Sequence, residues 1–243
     1  MLDRIEVRPG PGYRPDAWYF DIPAIARLRS GGLDLSPATV IVGENGSGKS
    51  TLMEALAHAW RGYALTGAQV THWSPPAGDE DADLGRHLGL RGERPAPQGG
   101  CFLRAEAMHG LFTAVDAAGL DERAFGGRLN RRSHGESFLT YLETRTAERG
   151  LFLLDEPEAA LSFTSCLRLL SLLELLVEAG NQVVLATHSP VLAALPAARI
   201  LEFGEHGISQ SEWADLELVQ HWQAFLTGPQ RYLRYLVGEG ADG

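Results

Sequence analysis

Residues Gly43–Ser50 read GENGSGKS, which matches G-x-x-x-x-G-K-[ST] and constrains both neighbouring segments. The run follows a short apolar stretch, Thr39-Val40-Ile41-Val42, and precedes Thr51–Ala57, whose composition reads as a helix. A strand that turns through a glycine-rich loop into a helix is the context in which this motif cradles phosphate. Glycines permit a tight loop whose backbone N–H groups point inward. The helix N-terminus adds the positive end of its dipole. In such a loop Lys49 reaches the β- and γ-phosphates of a nucleotide, and Ser50 offers a hydroxyl to Mg²⁺. Asn45, Gly46, Ser47, Gly48 and Thr51 complete the expected contact set. A glycine-rich turn ahead of an ordinary helix would not require the lysine, the serine and both flanking elements together.

The rest of the chain alternates strand-like and helix-like segments, which predicts an α/β fold with a mainly parallel central sheet. Leu2–Arg8 alternates as an edge strand does, and Trp18–Ile22 reads as a second strand. The first helix is expected from about Lys49 to Arg61. Ser74–Gly100 is rich in proline, glycine and charge and reads as a mobile surface segment with one short helix. Cys101–Arg104 is a short strand before a helix from about Glu106 to Ala117. Asp121–Arg132 is a loop, and Gly135–Arg149 is helical. Leu151–Leu154 and Gln182–Ala186 read as strands buried on both faces, with an amphipathic helix, Thr164–Ala179, between them. Ile200–Phe203 and Ile208–Gln210 form a hairpin, and helices near Asp215–Leu226 and Pro229–Val237 close the chain.

Bulk properties narrow the partners. With 243 residues the chain has room for one large α/β domain or a core with a small lobe. Its net charge of −10 disfavours nucleic acid as the main partner. The four arginines within Arg123–Arg132 leave room for a local basic patch, although a solvated loop explains them more simply. Cys101 and Cys166 lack metal-ligand spacing and read as reduced core thiols. With no signal-peptide pattern at the N-terminus, this predicts a cytoplasmic protein. The most apolar stretch, Leu167–Val177, contains Arg168, Ser171 and Glu174, so it reads as a buried helix face rather than a membrane segment. Any membrane part of the system would belong to another chain.

Three further segments carry chemistry. In Leu151–Pro157 four apolar residues end in Asp155 and Glu156, at the strand edge where ligands sit in open α/β sheets. Asp155 is placed to serve Mg²⁺ and Glu156 to polarise an attacking water. His188 follows the next buried strand and could reach a γ-phosphate on the neighbouring loop. Ser133-His134-Gly135-Glu136-Ser137 opens a helix, and small residues at a helix start form an anion site. Ser133 with Glu136 is equally a capping box. A second phosphate-gripping helix start makes sense if it grips a nucleotide held by another copy of the chain.

GENGSGKST, SHGES, LLDEPEAALS and ATHSP, in this order and spacing, resemble the ABC-type ATPases, as Walker A, signature, Walker B with D-loop, and His-switch. The resemblance spans roughly Leu2 to Ser211 and is most similar to small stand-alone bacterial predicted AAA/ABC-like ATPases, which share FLRAE, SHGES and DEPEAALS. It implies a P-loop NTPase with antiparallel N-terminal strands and a small helical lobe. The core would be about 1–65 and 150–211, the lobe about 66–149, and C-terminal helices about 212–243. It also implies a homodimer on ATP binding, with each ATP between Walker A of one subunit and Ser133, Gly135 and Glu136 of the other. Lys49, Glu156 and His188 would be catalytic, and Ser50, Asp155 and Glu106 would serve Mg²⁺, with Glu106 standing where the Q-loop glutamine belongs. Ser162 replaces the usual D-loop aspartate, which bears on cross-talk between sites. Tyr13, Trp18, Tyr19 and Phe20 are candidates to stack on adenine. The segment from Thr51 to Ser133 is too short for a long coiled-coil insertion. Three outputs fit: an ATPase acting on an unknown protein partner or nucleic acid, the ATP-binding subunit of an importer, or a non-hydrolysing switch. Intact Glu156 and His188 weigh against the last.

Overall fold

Strands without a polar face must be covered on both sides. The computed structural model, which describes residues 1–60, 81–92, 99–104, 134–144 and 149–236, shows how this is done. The strands among these residues are Leu2–Val7 (β1), Leu33–Asp34 (β2), Ala38–Gly43 (β3), Leu88–Gly92 (β4), Gly99–Arg104 (β5), Gly150–Asp155 (β6), Gln182–Ala186 (β7), Arg199–Gly204 (β8) and Gly207–Gln210 (β9). Six of them form one sheet in the order β5-β6-β7-β3-β8-β9. All its neighbours pair in parallel except β9, which returns antiparallel to β8 as the predicted hairpin. β1 lies between β2 and β4 in a separate antiparallel sheet.

The helices are Pro23–Ser30 (α1), Lys49–Ala59 (α2), Asp81–Arg86 (α3), His134–Thr144 (α4), Phe163–Glu178 (α5), Glu217–Thr227 (α6) and Gln230–Leu236 (α7). Alternate residues of the central strands feed two separate cores. Val40, Val42, Phe152, Leu154, Val183 and Leu185 pack with α4, α5 and α6. Ile41, Leu151, Leu153, Val184 and Ala186 pack with α1, α2 and the small sheet. The period-2 geometry of a strand thus makes one apolar run serve two layers. Gln182, 2% exposed, joins the two sheets. Its carbonyl accepts from Leu2 N at 2.7 Å, and its amide donates to Leu2 O at 2.7 Å and to Ser36 O at 3.1 Å.

Several expected elements are corrected. Leu2–Val7 is the middle strand of its sheet rather than an edge. Trp18–Asp21 is a 3₁₀ turn, not a strand. Tyr19 and Phe20 are adjacent yet both buried in one core, which a strand with alternating sides could not arrange. Helix α1 was not anticipated, although Pro23 at its first turn and Ala24, Ile25 and Leu28 on its buried face are ordinary signals. Within Ser74–Gly100, β4 pairs with β1, a long-range contact that local composition does not announce. β5 likewise joins the central sheet, so the span assigned to the lobe contributes strands to both sheets. The helix expected from Glu106 to Ala117 and the loop Asp121–Arg132 lie outside the described residues. Cys101 and Cys166 are free and buried, and burial pushes the Cys166 thiol up. Among the described residues no helix is long and apolar enough to cross a membrane.

Candidate functional site

β3 ends at Gly43, and the chain turns through Glu44–Gly48 into α2. Gly43 has φ 149°, and a Cβ there would lie 2.3 Å from Phe203 O, so only glycine allows β8 this close. Gly48 has φ 97°, and a Cβ would meet Ile22 Cγ2 at 2.8 Å. The loop's shape is therefore held by the packing of α1 and β8 beneath it. Asn45 and Gly46 are exposed at its tip. Ser47 Oγ is buried without a partner among the described residues. Lys49 is 3% exposed, and its ammonium donates to Gly43 O at 2.9 Å and Glu44 O at 3.0 Å. Burial lowers its pKa, while Glu156, Asp155 and Glu158 pull it back up.

β6 is separated from β3 by β7, yet α2 crosses over and brings Ser50 to the end of β6. Ser50 Oγ donates to Asp155 Oδ1 at 3.2 Å. The other oxygen of Asp155 is held by Arg104, whose Nε and Nη2 both lie 2.9 Å from Oδ2. Arg104 Nη1 also pairs with Glu54 Oε1, one turn along α2 from Ser50. Burial pushes the Asp155 carboxyl up, and Glu156 adds to this; Arg104 and the Ser50 hydroxyl oppose it without cancelling it. Arg104, despite burial, is held more firmly charged by Asp155 and Glu54.

Glu156 follows immediately in the left-handed region, with φ 49° and ψ 49°, and precedes Pro157. Its N–H donates to Ala186 O at 2.9 Å, which anchors the turn to β7. His188, two residues beyond β7, places Nε2 3.2 Å from Glu156 Oε1. The two are close enough to pair, but the contact is not aligned as a hydrogen bond. Glu158 Oε1 accepts from the His188 backbone N at 2.5 Å, so the turn after β6 holds the turn after β7.

The phosphate-type loop, Ser50, Asp155, Glu156 and His188 thus converge at the C-terminal edge of the central sheet. Thr51 is half-buried in the first turn of α2. Gly135 packs elsewhere: a Cβ there would lie 3.1 Å from Leu161 Cδ2 and 3.2 Å from Ala160 O. Glu136 is exposed on the first turn of α4. Ser133 and Glu106 lie outside the described residues. Of the aromatic candidates, Tyr19 and Phe20 are core residues, Tyr13 packs edge-on against Phe20 and His87, and Trp18 is 43% exposed. Sequence reasoning passed over Arg104, Glu54 and Glu158. The signal for the first two was a charge ending an apolar strand and an acid inside the apolar run Leu52–Ala57. Nothing local marked Glu158, whose bond joins residues 30 apart.

Two segments of the chain match family models. Residues 29–79 match "AAA domain", and residues 137–194 match "AAA domain, putative AbiEii toxin, Type IV TA system". The chain is 33% identical over 197 residues to a "Putative ABC transporter ATP-binding protein" of Streptomyces avermitilis, an alignment covering 73% of this chain and 34% of that protein. It therefore spans about a third of the length of that relative. It is 30% identical over 196 residues to the aliphatic sulfonates import ATP-binding protein SsuB of Delftia acidovorans, with 76% of each chain covered. Among solved structures it is similar to the SMC head domain from Thermotoga maritima, with a TM-score of 0.47 and 16% identity over 87% of this chain and 99% of that one.

Proposed function

The chain belongs to the ABC-type ATPases, and we propose that it hydrolyses ATP with Mg²⁺ between two head-to-tail copies and uses the motion to act on a partner. The observation that carries this reading is the bond from Ser50 Oγ to Asp155 Oδ1, which joins the phosphate-type loop to the acidic strand end across 105 residues of sequence. A hydroxyl and a carboxylate are hard oxygen donors, and Mg²⁺ typically takes one or two such protein ligands alongside phosphate and water. Ser50 and Asp155 would hold it, with Glu106 as a further candidate from sequence. When bound, the ion neutralises charge on the β- and γ-phosphates.

The chain's own residues account for the rest. Backbone N–H groups of the loop and the N-terminus of α2 bind the phosphates, and Lys49 exchanges its bonds to Gly43 O and Glu44 O for bonds to phosphate oxygens. Glu156 orients the attacking water. His188, within reach of Glu156, faces the γ-phosphoryl group. Ser133 and Gly135 of the partner subunit stabilise the charge that develops on transfer. The parts of residues 66–149 outside β4 and β5 would form the lobe that carries this signature, and closing and opening of the dimer would be the output. We place the protein in the cytoplasm. Its charge does not favour nucleic acid as the main partner. A second reading, the ATP-binding subunit of an importer mated to a separate membrane protein, is compatible with the similarity to the sulfonate import relative.

Calorimetry and phosphate release test the reading together. The parent chain should bind ATP, and it should release phosphate only when Mg²⁺ is present. Lys49→Ala should lose most ATP affinity while remaining folded, because charge-assisted hydrogen bonds contribute about 1.5–3 kcal/mol each. Unchanged affinity would mean that the loop is not the nucleotide site.

A further inference from the structure

Arg104 makes contacts that the proposed hydrolysis does not use. It closes β5, directly opposite Asp155 in the parallel register. Its guanidinium directs Nε and Nη2 onto a single oxygen of Asp155, Oδ2, and Nη1 onto Glu54. That leaves Oδ1 as the oxygen facing Ser50. Glu54 lies one helical turn beyond Ser50 on α2, so the same guanidinium ties the helix bearing Ser50 to the strand bearing Asp155. The cluster is sheltered: the side chains of Asp155, Glu54 and Arg104 are 2%, 10% and 25% exposed.

We propose that Arg104 is a positioning residue for the metal: it fixes Asp155 and α2 so that Ser50 Oγ and Asp155 Oδ1 can serve one Mg²⁺. The inference rests on the Mg²⁺-dependent nucleotide reading above. A planar guanidinium can hold two carboxylates in fixed directions at once, whereas an ammonium acts as a point charge on a flexible stem. Groups that orient metal ligands from behind typically contribute 10–100-fold to metal affinity. Arg104 also ties β6 to the helix that follows β3, although β7 lies between those two strands in the sheet.

Two variants separate positioning from charge. Arg104→Lys keeps the charge and loses the fork. The double variant R104M/E54Q removes one positive and one negative charge, so the net charge of the cluster is preserved while the clamp is gone. The readout is the ratio of ATP dissociation constants in EDTA and in Mg²⁺, measured by calorimetry on the full chain. Thermal unfolding identifies folded material. Both variants should bind ATP in EDTA as the parent does, and both should lose about tenfold of the Mg²⁺-dependent gain. A merely structural role would lower the unfolding midpoint and leave the ratio alone. Either folded variant keeping the parent's ratio within about twofold would overturn the proposal. A parent chain that gains no ATP affinity from Mg²⁺ would instead overturn the metal reading, and this inference with it.

Discussion

Glu156 and Asp155 are adjacent, yet the fold treats them in opposite ways. Asp155 is buried at the strand end and clamped by Arg104. Glu156 stands in left-handed backbone, which costs a non-glycine residue about 1–3 kcal/mol and persists only where surroundings over-determine it. The N–H bond to Ala186 O and the ring of Pro157 supply that constraint and leave the carboxylate near His188. Burial gives Asp155 a testable signature. A carboxyl whose folded pKa is raised contributes stability below its unfolded pKa and loses that contribution as pH rises through the folded value. The stability difference between Asp155→Asn and the parent should therefore shift in favour of the asparagine variant as pH rises from about 4. Urea midpoints from pH 3 to pH 7 measure this difference. A flat difference, or one moving the other way, would mean that the Arg104 pairing outweighs burial.

Among elements, the small antiparallel sheet depends on the central one for its position. Gln182 supplies three hydrogen bonds across that junction from a site with almost no exposure. Gln182→Leu keeps the volume but strips Leu2 N and O and Ser36 O of a partner. With buried orphaned groups costing about 1–3 kcal/mol each, partly offset by relaxation, a total loss of about 2–4 kcal/mol is expected. Urea unfolding should show a lower midpoint with an unchanged slope. A loss under about 1 kcal/mol would mean that β1 is held by α1 and β4 without this bridge. The C-terminal helices are tied in differently, through Trp213 Nε1, which donates to Pro190 O at 2.8 Å just beyond His188.

At the scale of the whole molecule, Gly135 is the informative position. It packs against the turn that follows Glu156, not against the phosphate-type loop of its own chain. On the proposed reading, the signature would then serve nucleotide held by a second copy. Glu156→Gln keeps the shape of the side chain, cannot polarise water as a carboxylate does, and removes negative charge from beside the place proposed for the γ-phosphate. Even a third of the about 4 kcal/mol between unit charges at 4 Å and an effective dielectric near 20 shifts a dimer constant about tenfold. Sedimentation of this variant with ATP and Mg²⁺ should show a dimer at tens of micromolar protein. A monomer with ATP demonstrably bound would falsify the sandwich mechanism for the isolated chain.

The whole molecule also shows where sequence reading reached and where it stopped. The loop Gly43–Ser50, the buried strands at Leu151–Leu154 and Gln182–Ala186, and the hairpin at Ile200–Gln210 were legible because each is encoded by adjacent residues: glycines at fixed offsets, unbroken apolar runs, a turn. The mainly parallel sheet followed from their alternation with helices. The places where the reading failed have a shared cause. Trp18–Asp21 looked like a strand because aromatic residues favour strands, but burial of two adjacent rings in one core required a turn. β4 in a glycine- and proline-rich segment, and β1 as a middle strand, were decided by pairing across more than 80 residues. At the site, residue types announced Lys49, Asp155, Glu156 and His188 one by one. That Ser50 meets Asp155, that Arg104 and Glu54 stand behind them, and that Glu158 holds the His188 turn are consequences of strand order and of α2 crossing the sheet. A sequence specifies such contacts only through the complete fold, because no local period or propensity brings those residues together.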